Sequence, residues 1–155
     1  IQDEIEKNKI VESFAIYKSP KEFLRDGKYV IRGGRNKLYC SDDPNGIICN
    51  RDFPGPDEIF TVQHLGDGKY AIQGFHSGLW CTLTSTGMVC NSPIIGDDQI
   101  FILHPLGDRN YGIQNVKNEQ WCIESGHGLV CDIDSMYSSD FQIFEFLPIR
   151  YNNIK

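Results

Sequence analysis

Apolar and polar residues alternate along this chain in runs of four to six, punctuated by Gly, Pro, Asn and Asp, with no sustained helical period beyond Gly27. That pattern predicts short β-strands. The first four fall at 28–32, 38–41, 47–50 and 59–64. Between the second and third lies Asp43-Pro44-Asn45-Gly46, where Pro suits the first turn position and Gly supplies a positive φ at the exit. The counterparts Thr84-Ser85-Thr86-Gly87 and Ser125-Gly126-His127-Gly128 keep the Gly, so a tight hairpin recurs three times.

The recurrence has a constant step. Cys40, Cys81 and Cys122 are 41 residues apart, as are Cys49, Cys90 and Cys131, and nine residues separate the members of each pair. The same step links Tyr29, Tyr70 and Tyr111; Ile31, Ile72 and Ile113; Tyr39, Trp80 and Trp121; and Gly46, Gly87 and Gly128. Each unit ends on an apolar pair preceded by Glu or Gln: Glu58-Ile59-Phe60, Gln99-Ile100-Phe101 and Gln142-Ile143-Phe144. The third copy arrives two residues late, which lengthens the loop 132–140. Short strands of this kind must close on themselves or pair face to face, because an open sheet leaves unpaired edges. Three equal four-stranded units suggest threefold closure.

The pattern Gly-Lys-Tyr-x-Ile, then Tyr/Trp-x-Ser/Thr, a Gly turn, and Glu/Gln-x-Phe resembles the repeat of fascin-like and actin-crosslinking β-trefoils over residues 27–147. The third unit departs from it where Arg109-Asn110 replaces Gly-Lys and Ile123 replaces Ser/Thr. The Gln-Ile-Phe segments are also similar to the Gln-x-Trp signature of ricin-B-type trefoil lectins, with Phe in place of Trp and a different cysteine spacing. The resemblance implies an all-β fold, a β-trefoil of three four-stranded repeats at about 27–67, 68–108 and 109–148. Outside it lie an N-terminal extension, 1–26, and a tail, 149–155. Ser19-Pro20-Lys21-Glu22 is a capping box with Pro at the first helical position, which predicts a short helix at 20–25 stopped by Gly27.

The cysteines leave two readings open. An even count at strict spacing favours a disulfide framework among Cys40, Cys49, Cys81, Cys90, Cys122 and Cys131 and an oxidising compartment; a bond closing each hairpin is one arrangement, and the connectivity stays open. A two-residue turn sets the partners directly opposite each other, whereas a type I turn with a Gly bulge turns them to different faces. The other reading makes them small core hydrophobes in a cytosolic protein. Zinc knuckles need closer spacing, so no metal is expected.

Composition narrows the function. The formal net charge of −6 disfavours nucleic acid and anionic membranes, and no run is apolar enough to insert in a bilayer. The charged start without Met fits a mature or excised fragment. His64, His76, His104 and His127 occupy non-equivalent places in the repeat, no nucleophile elbow occurs, and acidic residues cluster at Asp42-Asp43, Asp57-Glu58, Asp97-Asp98 and Asp132 to Asp140 in expected loops. A non-enzymatic recognition module without cofactor is therefore expected, secreted or on a cell surface, and cytoplasmic if the thiols are free. Its partner is read first as a protein and alternatively as a glycan, with actin binding or protease inhibition as further alternatives; the oligomeric state stays open. Ligand-binding candidates are Tyr39, Trp80 and Trp121, with Asp132, Asp134 and Tyr137 in the longer loop. A competing reading makes the three aromatics equivalent caps on the core.

Overall fold

A computed structural model describes residues 24–137 and 139–149. Twelve strands occur among them, four per unit: β1 (Gly27–Gly33), β2 (Tyr39–Asp43), β3 (Gly46–Arg51) and β4 (Ile59–Gly66). The second unit supplies β5 (Lys69–Gly74), β6 (Trp80–Thr84), β7 (Gly87–Ser92) and β8 (Phe101–Gly107). The third supplies β9 (Asn110–Asn115), β10 (Trp121–Glu124), β11 (Leu129–Ile133) and β12 (Phe144–Pro148).

Strands β1, β4, β5, β8, β9 and β12 pair in a closed antiparallel ring, so the barrel has no free edge. Its register is set by the apolar pair that ends each unit. Phe60, Phe101 and Phe144 stand opposite Tyr29, Tyr70 and Tyr111 of their own units. On their other side they face Gly74, Asn115 and Gly33, the last residues of the next unit's first strand. All three phenylalanines are 0% exposed, and burial of each ring contributes about 2–3 kcal/mol. Ile31, Ile72 and Ile113 continue the same core, with Val62, Leu103 and Phe146.

The hairpins β2–β3, β6–β7 and β10–β11 branch off through single pairings, Arg32 with Tyr39, Gln73 with Trp80 and Gln114 with Trp121. They pack on one another and on the barrel core through Ile47, Met88 and Leu129. The turns of the first two hairpins are two-residue turns, because Asp43 pairs with Gly46 and Thr84 with Gly87. Cys40 therefore faces Cys49 directly, as Cys81 faces Cys90 and Cys122 faces Cys131, and all three pairs are disulfide-bonded. Each bond closes a loop of sequence separation 9, worth about 2.7 kcal/mol by the chain-entropy relation.

The Glu or Gln before each apolar pair folds the connection between third and fourth strands. Gly55 donates its N–H to Glu58 Oε1 at 2.5 Å, and Gly96 donates to Gln99 Oε1 at 2.6 Å. In the longer third connection, Tyr137 N–H reaches Gln142 Oε1 and Gln142 Nε2 donates to the Ser135 carbonyl, both at 2.8 Å.

The N-terminal helix expected at 20–25 lies mostly outside the described residues. Where its end is described, at Leu24 and Arg25, the backbone is not helical. Tertiary hydrogen bonds hold these two residues. Leu24 N–H donates to the Tyr70 hydroxyl at 3.1 Å, that hydroxyl donates to the Leu24 carbonyl at 2.9 Å, and the Tyr29 hydroxyl donates to the Arg25 carbonyl at 2.7 Å. The strands also run one or two residues further into their turns than alternation suggested, since ladder bonding continues to Gly33, Asp43 and Gly66.

The turn glycines do more than permit a turn. Gly46, Gly87 and Gly128 have φ of 140°, 144° and 140°. A Cβ on each would lie 3.3, 2.9 and 3.1 Å from the backbone oxygens of Met88, Leu129 and Ile47, so every hairpin tip abuts the next hairpin. Gly87→Ala should cost roughly 1–3 kcal/mol through backbone strain and this contact. Gly126→Ala, where a Cβ meets open space, should stay within about 0.5 kcal/mol. Urea midpoints of the two variants against the parent chain measure both.

Candidate functional site

Where the first hairpin meets the second unit, the surface opens into a cleft of about 490 Å³. Asp42, Asp43 and Asp57 come from the first unit, and His76, Ser77 and Asn91 from the second. Leu79 and Val89 add apolar surface. Strand β2, the first of the hairpin, delivers Asp42 and Asp43; the loop after β5 delivers His76 and Ser77.

The polar groups are held in place. Ser77 donates from Oγ to Asp42 Oδ2 at 2.8 Å, and Gly74 leaves room for this pair, since a Cβ there would sit 2.1 Å from the same oxygen. Arg51 Nη2 donates to both oxygens of Asp43 at 3.0 and 3.2 Å. His76 Nδ1 lies 2.7 Å from Asp57 Oδ1 at the mouth, with both side chains more than half exposed. Desolvation holds the Asp42 carboxyl above its usual range, opposed by the Ser77 hydrogen bond. The arrangement offers carboxylate acceptors, a hydroxyl and an imidazole beside an apolar patch, which is chemistry for binding a hydroxyl-rich ligand. Catalysis by a cysteine nucleophile has no basis, because no cysteine is free.

None of the ligand-binding candidates from the sequence lines this cleft. Tyr39, Trp80 and Trp121 are half-buried at the roots of the three hairpins. Arg32 lies over the Tyr39 ring at 5.7 Å. Trp121 packs against Gly112 and has the His104 ring 4.4 Å away, with His104 Nε2 2.8 Å from Gln114 Oε1. Asp132 and Asp134 are exposed, Asp134 accepting from Gln120 Nε2 at 3.0 Å, and Tyr137 projects from the same loop at 73% exposure. The cleft residues Asp42, Asp43, Asp57 and His76 were visible in the sequence only as loop acids and a solitary imidazole. The available signal was their divergence: at the positions of Asp42 the other units carry Leu83 and Glu124.

Glu124 is the third-unit counterpart of Asp42, and it is 7% exposed with no partner for Oε1 among the described residues. Burial pushes its carboxyl up, and the Arg35 charge pulls it partly back. Ionising it therefore costs more in the folded chain than in the unfolded one. Its favourable share of stability is full below the unfolded value and is lost as pH rises through the folded one. Glu124→Gln should raise the melting temperature at pH 7 to 8, with the gain shrinking towards pH 4. Thermal melts across that range read it; a gain that grows on acidification has the wrong sign.

No family model matches the chain, and no curated protein matches it in sequence. Solved structures do match. The crystal structure of a designed 3-fold symmetric protein, ThreeFoil, superposes with a TM-score of 0.69 at 18% identity, covering 80% of this chain and 100% of that one. A Polyporus squamosus lectin bound to the human-type influenza-binding epitope Neu5Aca2-6Galb1-4GlcNAc matches with a TM-score of 0.68 at 16% identity, covering 80% of this chain. The match covers 49% of that lectin's length. Together with the closed barrel and the three hairpins, these likenesses show that the chain folds as a β-trefoil. They do not single out the fascin-like branch of that fold.

The three disulfides suit an oxidising environment, and among the described residues no helix is long and apolar enough to cross a membrane. Alkylation without reduction should leave all six cysteines unmodified, and alkylation after denaturation and reduction should label all six. Intact mass distinguishes the two states; labelling of the unreduced, denatured chain would contradict the pairing.

Proposed function

We propose that this domain is a non-catalytic carbohydrate-binding module of an oxidising compartment, with its site in the cleft between the first and second units. The observation that carries this reading is the cleft's lining. A saccharide presents many hydroxyl groups and a few C–H faces, and its recognition needs closely spaced acceptors and donors beside apolar surface. Asp42, Asp57, His76, Ser77 and Asn91 supply the first, and Leu79 and Val89 the second. Ser77 and Arg51 hold Asp42 and Asp43 before any ligand arrives, which reduces the ordering cost of binding. The structural likeness to a lectin supports the same reading at the level of fold.

A protein partner is the second reading, and one observation favours it. Phe53, Ile94 and Tyr137 are 83%, 68% and 73% exposed and recur at the same place in the three connections between third and fourth strands. Exposed large apolar side chains at repeated loop positions are candidate anchors for a protein surface. They lie outside the cleft lining, so the two readings use different residues.

A glycan array should return defined oligosaccharides, and Asp42→Asn with His76→Ala should lower affinity for them at least tenfold, about 1.4 kcal/mol. Circular dichroism should show an unchanged fold, since Asp42→Asn removes a carboxylate whose ionisation burial disfavours. An array without hits, or hits indifferent to these two substitutions, would shift the weight to Phe53, Ile94 and Tyr137.

A further inference from the structure

Triplication gives the cleft two counterparts, between the second and third units and between the third and first. Three features of each can be compared position by position. One is the hairpin residue at 42, 83 or 124; another is the residue ending the next unit's first strand, at 74, 115 or 33. The last is the side-chain pair at the mouth.

Between the first and second units, Asp42 is half-buried, Gly74 leaves space beside it, and the mouth pair is Asp57 with His76 at 2.7 Å. Both members of that pair are well exposed, with side-chain exposures of 56% and 69%, so the pair borders the cleft without covering it.

Between the second and third units, Leu83 replaces the aspartate and packs against the hydrophobic core. Asn115 stands where the first cleft has Gly74, is 1% exposed, and accepts the Asn118 N–H on Oδ1 at 3.1 Å. The volume that admits Asp42 in the first cleft is thus filled by an asparagine side chain in the second. The mouth pair becomes Lys117 with Asp98 at 3.2 Å, about as exposed as its counterpart, so the difference between the two clefts lies in Leu83 and Asn115; Gln120, in the place of Leu79, is drawn to Asp134 at 3.0 Å.

Between the third and first units, the carboxylate has moved inward. Glu124 is buried, and its Oε1 lies 2.9 Å from where a Cβ on Gly33 would be. At the mouth, Arg35 lies over the Phe141 ring at 4.6 Å, an attractive cation–π contact in place of a hydrated ion pair.

We infer that the domain is monovalent: of its three pseudo-equivalent clefts, the one between the first and second units takes a saccharide, and the other two are filled by the chain's own side chains. This rests on the carbohydrate-binding reading above. The domain alone then cannot bridge two glycan-bearing surfaces, despite its threefold repeat.

Native mass spectrometry and calorimetric titration with lactose, N-acetyllactosamine, mannotriose and chitotriose test it. Those that bind should do so at one equivalent per chain, and Asp42→Asn with His76→Ala should weaken them at least tenfold. Two or three equivalents per chain overturn monovalency and leave glycan binding standing. One equivalent at undiminished affinity in the Asp42/His76 variant places the site elsewhere and overturns the inference too. No binding of any of the four sugars, alongside an empty array, removes both readings together.

A gain of function tests the cause. Leu83→Asp, Asn115→Gly, Lys117→His and Asn118→Ser rebuild the second cleft on the pattern of the first, and the stoichiometry should rise to two. A folded quadruple variant that still binds one equivalent contradicts the role given to these side chains. Should that variant not fold, the parent stoichiometry and the Asp42/His76 loss decide the matter.

Discussion

The closed barrel depends on three phenylalanine rings. Each of Phe60, Phe101 and Phe144 sits on the last strand of one unit and is flanked by the first strands of its own and the following unit. A single side-chain position thereby fixes both the internal register of a unit and its junction with the next. The burial of these rings is also what makes each unit incomplete alone, because a phenylalanine that needs two neighbouring first strands cannot be sheltered by one. The Glu or Gln two residues earlier serves the same ring, by folding the preceding loop so that the strand enters in register.

Around that fixed ring the units have diverged unevenly. Positions that close the barrel or lock the hairpin tips keep their residue type: the tyrosines, the cysteines, the turn glycines that abut a neighbouring carbonyl. Positions facing the seams between units do not. Asp42, Leu83 and Glu124 occupy one topological place with three different chemistries, half-buried acid, half-buried hydrophobe packed on the core, and buried acid. A rigid repeated frame permits this, since the seam residues contribute little to closure and are free to differ.

The same division explains what could be read from the sequence. The period of 41, the cysteine spacing and the turn glycines all report on closure, and they led to the trefoil directly. The hairpin register needed coordinates, because Asp43-Pro44-Asn45-Gly46 is compatible with two turn types until Asp43 is seen opposite Gly46. The helix expected at 20–25 falls mostly outside the described residues; at its end, Leu24 and Arg25 are held by the distant hydroxyls of Tyr70 and Tyr29, a tertiary contact invisible to a local rule. The candidate site was missed for a further reason. Repetition marks what the units share, Tyr39, Trp80 and Trp121, whereas the cleft is made by residues they do not share, brought together from two units across a seam.

The barrel's first and last strands run antiparallel as neighbours, Tyr29 opposite Pro148 and Gly33 opposite Phe144. Both ends of the barrel therefore emerge side by side at one rim. A domain built this way can be spliced into a surface loop of a host without separating the host's two halves. Once Leu24 has let go of the Tyr70 hydroxyl, tension applied through those ends would peel β1 from β12 one rung at a time, beginning at the Ile149–Lys28 hydrogen bond, instead of shearing all rungs together. Because each disulfide lies within a single hairpin, none would resist that first separation. Mechanically the fold is a zipper whose tab is pinned only by Leu24, whatever its resistance to heat.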